Sequence, residues 1–211
     1  MKALVYGGAF NPPTAAHIDL AEFAMHKTGS ECVVYVPSKS VYIHDDQGKN
    51  FAFSDQERVD MLKKVAETHP WMRVSTYEID SETQPRTYET LCYLRDHEGY
   101  QGKLLFGSDK LVELETNWKY VDEICNEFGI VCMERCDDIC EEIIDFDPFL
   151  RAHKDSITVL MTPEKYRFYS SSRIREILSR DNPDKGELYR LLPPELYYLA
   201  EGKGPYEKQN V

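Results

Sequence analysis

Short apolar runs and amphipathic stretches alternate along the chain. The runs ALVYGG, CVVYVP, RVSTYEI, KLLFGSD, GIVCMER and SITVLM are nearly unbroken and rich in β-branched and aromatic residues, the pattern of strands buried on both faces. Between them TAAHIDLAEFAMHK, SDQERVDMLKKVAETH, TYETLCYLRDH, WKYVDEICNEF and DICEEIIDFDPFLRAH place apolar residues three and four apart, as helices covering a core do. Strict alternation of the two predicts an α/β fold: a Rossmann-like doubly wound parallel sheet with helices on both faces. Two shorter helical pieces, SSSRIREILSR and DKGELYRLLPPELYYLAEG, then predict a C-terminal helical segment over residues 170–202. Residues 37–54 are long and irregular for a connection of this kind, and Lys39, His44 and Lys49 make them a candidate substrate flap or a solvated loop.

In open parallel sheets ligands bind beyond the carboxyl ends of the strands, so the first strand-to-helix turn, GGAFNPPTAAH, draws attention. Gly7 and Gly8 let backbone turn sharply or approach a ligand, and Thr14 is a good N-cap, which would put His17 at the third helical position. Backbone N–H groups, a hydroxyl and an imidazole at the positive end of a helix suit an anion. The turn is neither the dinucleotide fingerprint G-x-G-x-x-G nor the P-loop G-x-x-x-x-G-K-[ST]. A second stretch, YSSSRIREIL, sets serines at a helix start and Arg173 and Arg175 in its first turn, where cations oppose the helix dipole unless an anion is bound.

Length and charge narrow the function classes. With 211 residues a single domain, 1–211, is expected, and only the end, 203–211, reads as disordered. A formal charge of -12 is the wrong sign for wrapping nucleic acid, so an anionic ligand would be held by a local cluster. The sequence offers no signal peptide and no run long enough for a membrane span, which points to the cytoplasm and away from a membrane partner. The six cysteines fit reduced thiols; Cys132, Cys136 and Cys140 are spaced four apart, but this matches no zinc pattern and no metal site is assigned. Self-association into a homo-oligomer stays open.

The two stretches carry a family resemblance. GGAFNPPTAAH resembles the G-x-F-[DN]-P-x-[HT]-x-G-H turn of the nucleotidyltransferase superfamily, and YSSSRIR resembles its I-S-S-T-x-I-R motif. Within that superfamily, FGSDKLVELETNWKYVDEI, RTYETL, FSDQERVDML and LLPPELYYLAEG are similar to segments of nicotinate-nucleotide adenylyltransferases. The chain departs from the pattern at Asn11, Ala16 and Ser172, and FNPPT is closer to the eukaryotic enzymes acting on the nicotinamide nucleotide, which leaves acid against amide open.

The resemblance implies transfer of AMP from ATP to nicotinate mononucleotide, with Mg²⁺ carried on the triphosphate. It implies ATP contacts from Gly7, Gly8, Ala9 and Phe10, phosphate contacts from Thr14 and His17, and ribose contacts from Asp109. Ser171, Ser172 and Arg175 would hold the triphosphate from the other side, with His17, Thr14 and Arg175 as the catalytic set. For the acceptor it implies Trp118 against the pyridine ring, Thr87 with the backbone at Tyr88 near its carboxylate, and Lys49, Lys39 or Arg135 on its phosphate. Two other readings stay open, a sister transferase with another phosphorylated acceptor such as phosphopantetheine, and a nucleotide-binding module without turnover.

Overall fold

The computed structural model describes residues 1–41, 53–114, 118–134 and 139–202. Six strands, β1 Lys2–Gly8, β2 Cys32–Pro37, β3 Met72–Val74, β4 Gln101–Gly107, β5 Ile130–Glu134 and β6 Ile157–Met161, form one sheet in the order β3-β2-β1-β4-β5-β6. Every pairing is parallel, with Tyr6 opposite Tyr35 across β1 and β2 and Tyr6 opposite Leu105 across β1 and β4. The order reverses between β1 and β4, so the ligand crevice of such a fold opens beyond the carboxyl ends of these two strands. The α/β reading of the sequence is borne out.

The main helices are α1 Ala15–Thr28, α2 Asp55–Ala66, α3 Thr87–His97, α4 Cys140–Phe146, α5 Ser171–Leu178 and α6 Lys185–Leu191. Two cores flank the sheet. On one face Leu4, Val33 and Tyr35 pack with Ile18 and Met25 of α1, Leu62 of α2, and Ile174, Leu188 and Leu196 of the C-terminal segment. On the other, Val5, Val34, Leu104 and Cys132 pack with Leu91 and Leu94 of α3, Ile124, and Ile144 of α4. Alternate residues of one strand therefore feed opposite cores, which is why the strands read as continuous apolar runs.

Three stretches differ from expectation; DICEEIIDFDPFLRAH, read as one helix, breaks at Asp147 into α4 and a short helix over Pro148–Ala152. RVSTYEI is a strand only over Met72–Val74, and Tyr77–Asp80 forms a helical turn. As an edge strand β3 has one pairing partner, and Thr76 closes it by donating to Asp80 at 2.6 Å. WKYVDEICNEF is helical only from Val121, passing into a wider π turn over Ile124–Phe128. Among the described residues no helix is long and apolar enough to cross a membrane.

Cys132, in the middle of β5, and Cys140, opening α4, are both fully buried with their sulfurs 3.8 Å apart. Burial pushes the Cys132 thiol well up, the direction of an inert, protonated group. Cys136 lies outside the described residues, as do His44, Lys49, Arg135 and the 203–211 tail.

Candidate phosphate-binding site

Gly8 ends β1, and the chain turns before α1 begins at Ala15. Gly7 and Gly8, expected to make the turn, are instead extended; the left-handed conformation falls on Phe10, at φ 46°, an unusual position for an aromatic residue. A ring of contacts stabilises it, since Phe10 is buried edge-on against Tyr6 at 5.3 Å and His17 at 5.3 Å. A side chain at Gly7 would meet nothing of the protein within 4 Å, whereas one at Gly8 would press on the Phe10 ring at 3.3 Å.

Thr14 is the N-cap of α1, as its position in the sequence suggests. His17 N–H donates to Thr14 Oγ1 at 3.2 Å, and Thr14 N–H donates to His17 Nδ1 at 2.9 Å, a reciprocal cap with an imidazole where a carboxylate or amide is usual. An Nδ1 that accepts must lack a proton, so the imidazole carries its hydrogen on Nε2. The backbone of His17 is held as well, its carbonyl accepting from the buried Tyr35 hydroxyl at 3.0 Å. Thr14 was expected to touch phosphate, yet it is 1% exposed and its hydroxyl faces the imidazole, so its part is to orient His17.

The second motif lies against the first. Ser170 caps α5 by accepting from Arg173 N–H at 3.1 Å. Ser171 Oγ donates to the Pro12 carbonyl at 2.8 Å, and Arg175 Nη1 donates to the Asn11 carbonyl at 2.7 Å while Nη2 reaches Ser172 Oγ at 3.1 Å. Burial lowers the pKa of the Arg175 guanidinium, which is the sense expected of a cation facing protein rather than water. The two first-turn arginines separate in role: Arg173 donates to Glu187 at 2.7 and 2.8 Å and to Glu176 at 2.9 Å, so carboxylates already neutralise it.

Sequence reasoning missed Arg58. Its side chain is completely buried, donating to the Ala9 carbonyl, to Ser38 O at 2.6 Å and to Asp55 Oδ1 at 2.6 Å. The signal was present, because Arg58 stands with Met61, Leu62 and Val65 at the i, i+3, i+4, i+7 positions of the buried stripe of α2.

The other expected residues are more dispersed. Asp109 is exposed in the first turn after β4, at the adjacent strand end. Thr87 is the first residue of α3; the Tyr88 hydroxyl donates to Glu127 at 2.8 Å, and its ring lies 5.4 Å from Tyr120. Trp118 is half-buried against Phe106 and, with Tyr120 and Phe149, lines a cleft of about 220 Å³. Lys39, offered for an acceptor phosphate, instead donates to the carbonyls of Ile79, at 2.6 Å, and Ser81, closing the Tyr77–Asp80 turn. A larger cleft of about 430 Å³ is lined by Ser75, Tyr77, Asp80, Tyr93 and Glu98 among others, and contains none of the expected residues. Residues 10–14 of the turn are buried, and Ala9 and His17 beside them are half-buried.

This geometry, a turn after β1 whose carbonyls are clamped by the start of α5, is accompanied by likeness to known proteins. The cytidylyltransferase-like family model matches residues 5–177. The chain belongs to the cytidylyltransferase-like family. A curated relative from Caldicellulosiruptor bescii, a probable nicotinate-nucleotide adenylyltransferase, is 25% identical over 99% of this chain and 100% of its own length. A second of the same description, from Aquifex aeolicus, is 31% identical over 72% of this chain and 90% of its own. Among solved structures, the Plasmodium falciparum nicotinic acid mononucleotide adenylyltransferase complexed with NaAD superposes with a TM-score of 0.70 at 18% identity, covering 95% of this chain and 96% of that one. That likeness is one of fold.

Proposed function

We propose that this protein is a nicotinate-nucleotide adenylyltransferase, moving AMP from ATP to nicotinate mononucleotide and releasing pyrophosphate, in NAD biosynthesis. The observation that carries the reading is the meeting of the two motifs: Ser171 and Arg175 close on the carbonyls of Asn11 and Pro12, beside the His17 imidazole that opens α1. One relative so described matches along 99% of the chain and another along 72%.

In the reaction an oxygen of the acceptor phosphate attacks the α-phosphorus of ATP; the new P–O bond forms as the bond to the β-phosphate oxygen breaks. A phosphate monoester is largely ionised at pH 7, so the nucleophile needs no strong base. The work left to the protein is alignment and stabilisation of charge on the α-phosphate and the leaving pyrophosphate. Ala9 and Phe10 offer backbone N–H groups, His17 offers Nε2–H, and the helix starts of α1 and α5 add their positive ends. Arg175 would exchange the Asn11 carbonyl for phosphate oxygens, with Ser171 and Ser172 beside it.

All of these groups are donors or cations, suited to phosphate oxygens and not to a metal. Mg²⁺ is therefore treated as part of the substrate, Mg·ATP, where it neutralises charge on the triphosphate. Asp109 stands for the ribose hydroxyls, and Trp118 with Thr87 and the backbone at Tyr88 for the pyridine ring and its carboxylate; Gly7 leaves open space over the turn. Lys49 and Arg135, cations that the resemblance sets near the acceptor, would hold its phosphate. Five described cysteines are free thiols, which supports a reducing, cytoplasmic setting.

The test is pyrophosphate release from Mg·ATP with nicotinate mononucleotide and, separately, with the nicotinamide form. Release with a higher kcat/KM for the acid is expected. A higher value for the amide would move the assignment to the sister activity, and release with neither would overturn it.

A further inference from the structure

Four carbonyls of the first turn are tied down, and they fall into two kinds. Arg175 and Ser171 hold the carbonyls of Asn11 and Pro12. The next nitrogen in each of those peptides belongs to a proline and carries no hydrogen, so these contacts anchor the turn without aiming a donor. The other two carbonyls belong to Gly8, which accepts from Ser38 N–H at 3.0 Å, and Ala9, which accepts from Arg58 Nη1.

In a trans peptide the C=O and N–H point in opposite directions. Fixing the Gly8 carbonyl toward β2 and the Ala9 carbonyl toward α2 therefore fixes the Ala9 and Phe10 N–H groups on the opposite sides of those two peptides. Successive N–H groups held in a turn can form an anion-binding concavity. One side chain braces both places, since Arg58 Nη1 holds the Ala9 carbonyl and Nη2 holds Ser38 O at 2.6 Å, next to the Ser38 N–H that continues the β1–β2 ladder to Gly8. Asp55, accepting from Arg58 Nη2 at 2.6 Å and from Ser40 N–H at 2.9 Å, fixes the guanidinium from the far side. An apolar side chain in the stripe of α2 would fill this place without the cost of burying a cation.

Resting on the adenylyltransferase reading, we propose that Arg58 is the positioning residue of the phosphate-binding turn, aiming the Ala9 and Phe10 N–H groups at the triphosphate of ATP through the carbonyls of Ala9 and Ser38. It touches no substrate.

The test compares the wild type with Arg58→Met, which keeps the bulk, and Arg58→Lys, which keeps the charge but cannot reach both carbonyls. Thermal unfolding is recorded with and without Mg·ATP, and pyrophosphate release is titrated separately in ATP and in acceptor. In the folded Met variant kcat/KM for ATP falls on the order of 10²-fold, the size of losing well-aimed oxyanion donors. Its KM for the acceptor stays within about threefold, the Lys variant falls between, and the rise in Tm caused by Mg·ATP disappears. A merely structural arginine gives the opposite: a lower Tm, but wild-type kcat/KM for ATP and a full Mg·ATP shift, and that result overturns the proposal. If the Met variant does not fold, the Lys variant is read by the same two criteria. A wild type that releases no pyrophosphate overturns the functional reading and this inference together, whereas an active wild type with an equally active Met variant overturns this inference alone.

Discussion

Thr14 and His17 cap each other across the first turn of α1, the threonine amide on Nδ1 at 2.9 Å and the histidine amide on Oγ1 at 3.2 Å. The imidazole closes the helix and, in the proposed reaction, also donates through Nε2–H; substitution can separate the two. Thr-x-x-Glu is the ordinary form of the same cap. His17→Glu is expected to keep stability within about 0.5 kcal/mol of wild type while placing a carboxylate where phosphate binds, and its kcat falls by about 10²–10³-fold. His17→Ala loses the donor by a similar factor and about 1 kcal/mol of stability with the cap. Urea unfolding beside steady-state kinetics decides it; near-normal turnover in His17→Glu contradicts the role given to Nε2–H.

The arginines of α5 make a matched pair of controls. Arg175 faces the Asn11 carbonyl, whereas Arg173 is held by Glu176 and Glu187 on the surface. Arg175→Ala is expected to lower kcat/KM for ATP by about 10²-fold, as loss of a charged phosphate contact does. Arg173→Ala is expected to leave kinetics within about twofold and to change stability by about 1 kcal/mol or less, as exposed pairs do. Equal kinetic losses in the two variants would remove the distinction.

The cap at Thr14 was legible because it follows from a local rule, a β-branched hydroxyl before a helical stretch with an imidazole three residues on. Five of the six strands were legible from their apolar runs. β3 was over-read, since Thr76 and Tyr77 carry β propensity but lie past Ser75, whose N–H still meets the Tyr35 carbonyl at 3.0 Å, and Tyr77 already opens a helical turn. Arg58 was hidden by its neighbours: Asp55, Glu57 and Asp60 make that turn of α2 read as solvated, and only the periodicity of the stripe betrays it. Lys39 was misread for a different reason. A cation in a connection looks available until the fold brings carbonyls to it.

Lys39 provides a test of that correction. With its ammonium closing the Tyr77–Asp80 turn, Lys39→Met should cost about 2 kcal/mol, near the worth of charge-assisted bonds, and leave the acceptor KM within about twofold. A large rise in acceptor KM at unchanged Tm would return Lys39 to the acceptor phosphate.

The Asp55–Arg58 pair predicts a pH dependence. Burial alone would raise the Asp55 carboxyl, but hydrogen bonds from Ser40 and Arg58 outweigh it and hold the group below the usual carboxylate range. A depressed folded pKa stabilises above the unfolded value of about 3.9 and is lost as pH falls through the folded one. Asp55→Asn should therefore be less stable than wild type at pH 5–7, with the gap closing below about pH 4. A gap that stays constant down to pH 2 would show that the carboxylate charge is not what stabilises.

The most direct test of the whole account follows the α-phosphate. With ATP labelled at its α-phosphorus and nicotinate mononucleotide as acceptor, the label should move into a dinucleotide that also carries the pyridine ring, with one pyrophosphate released for each label transferred. Label remaining in ATP, appearing as free AMP, or bound to the protein would contradict transfer of AMP at the turn between β1 and α1.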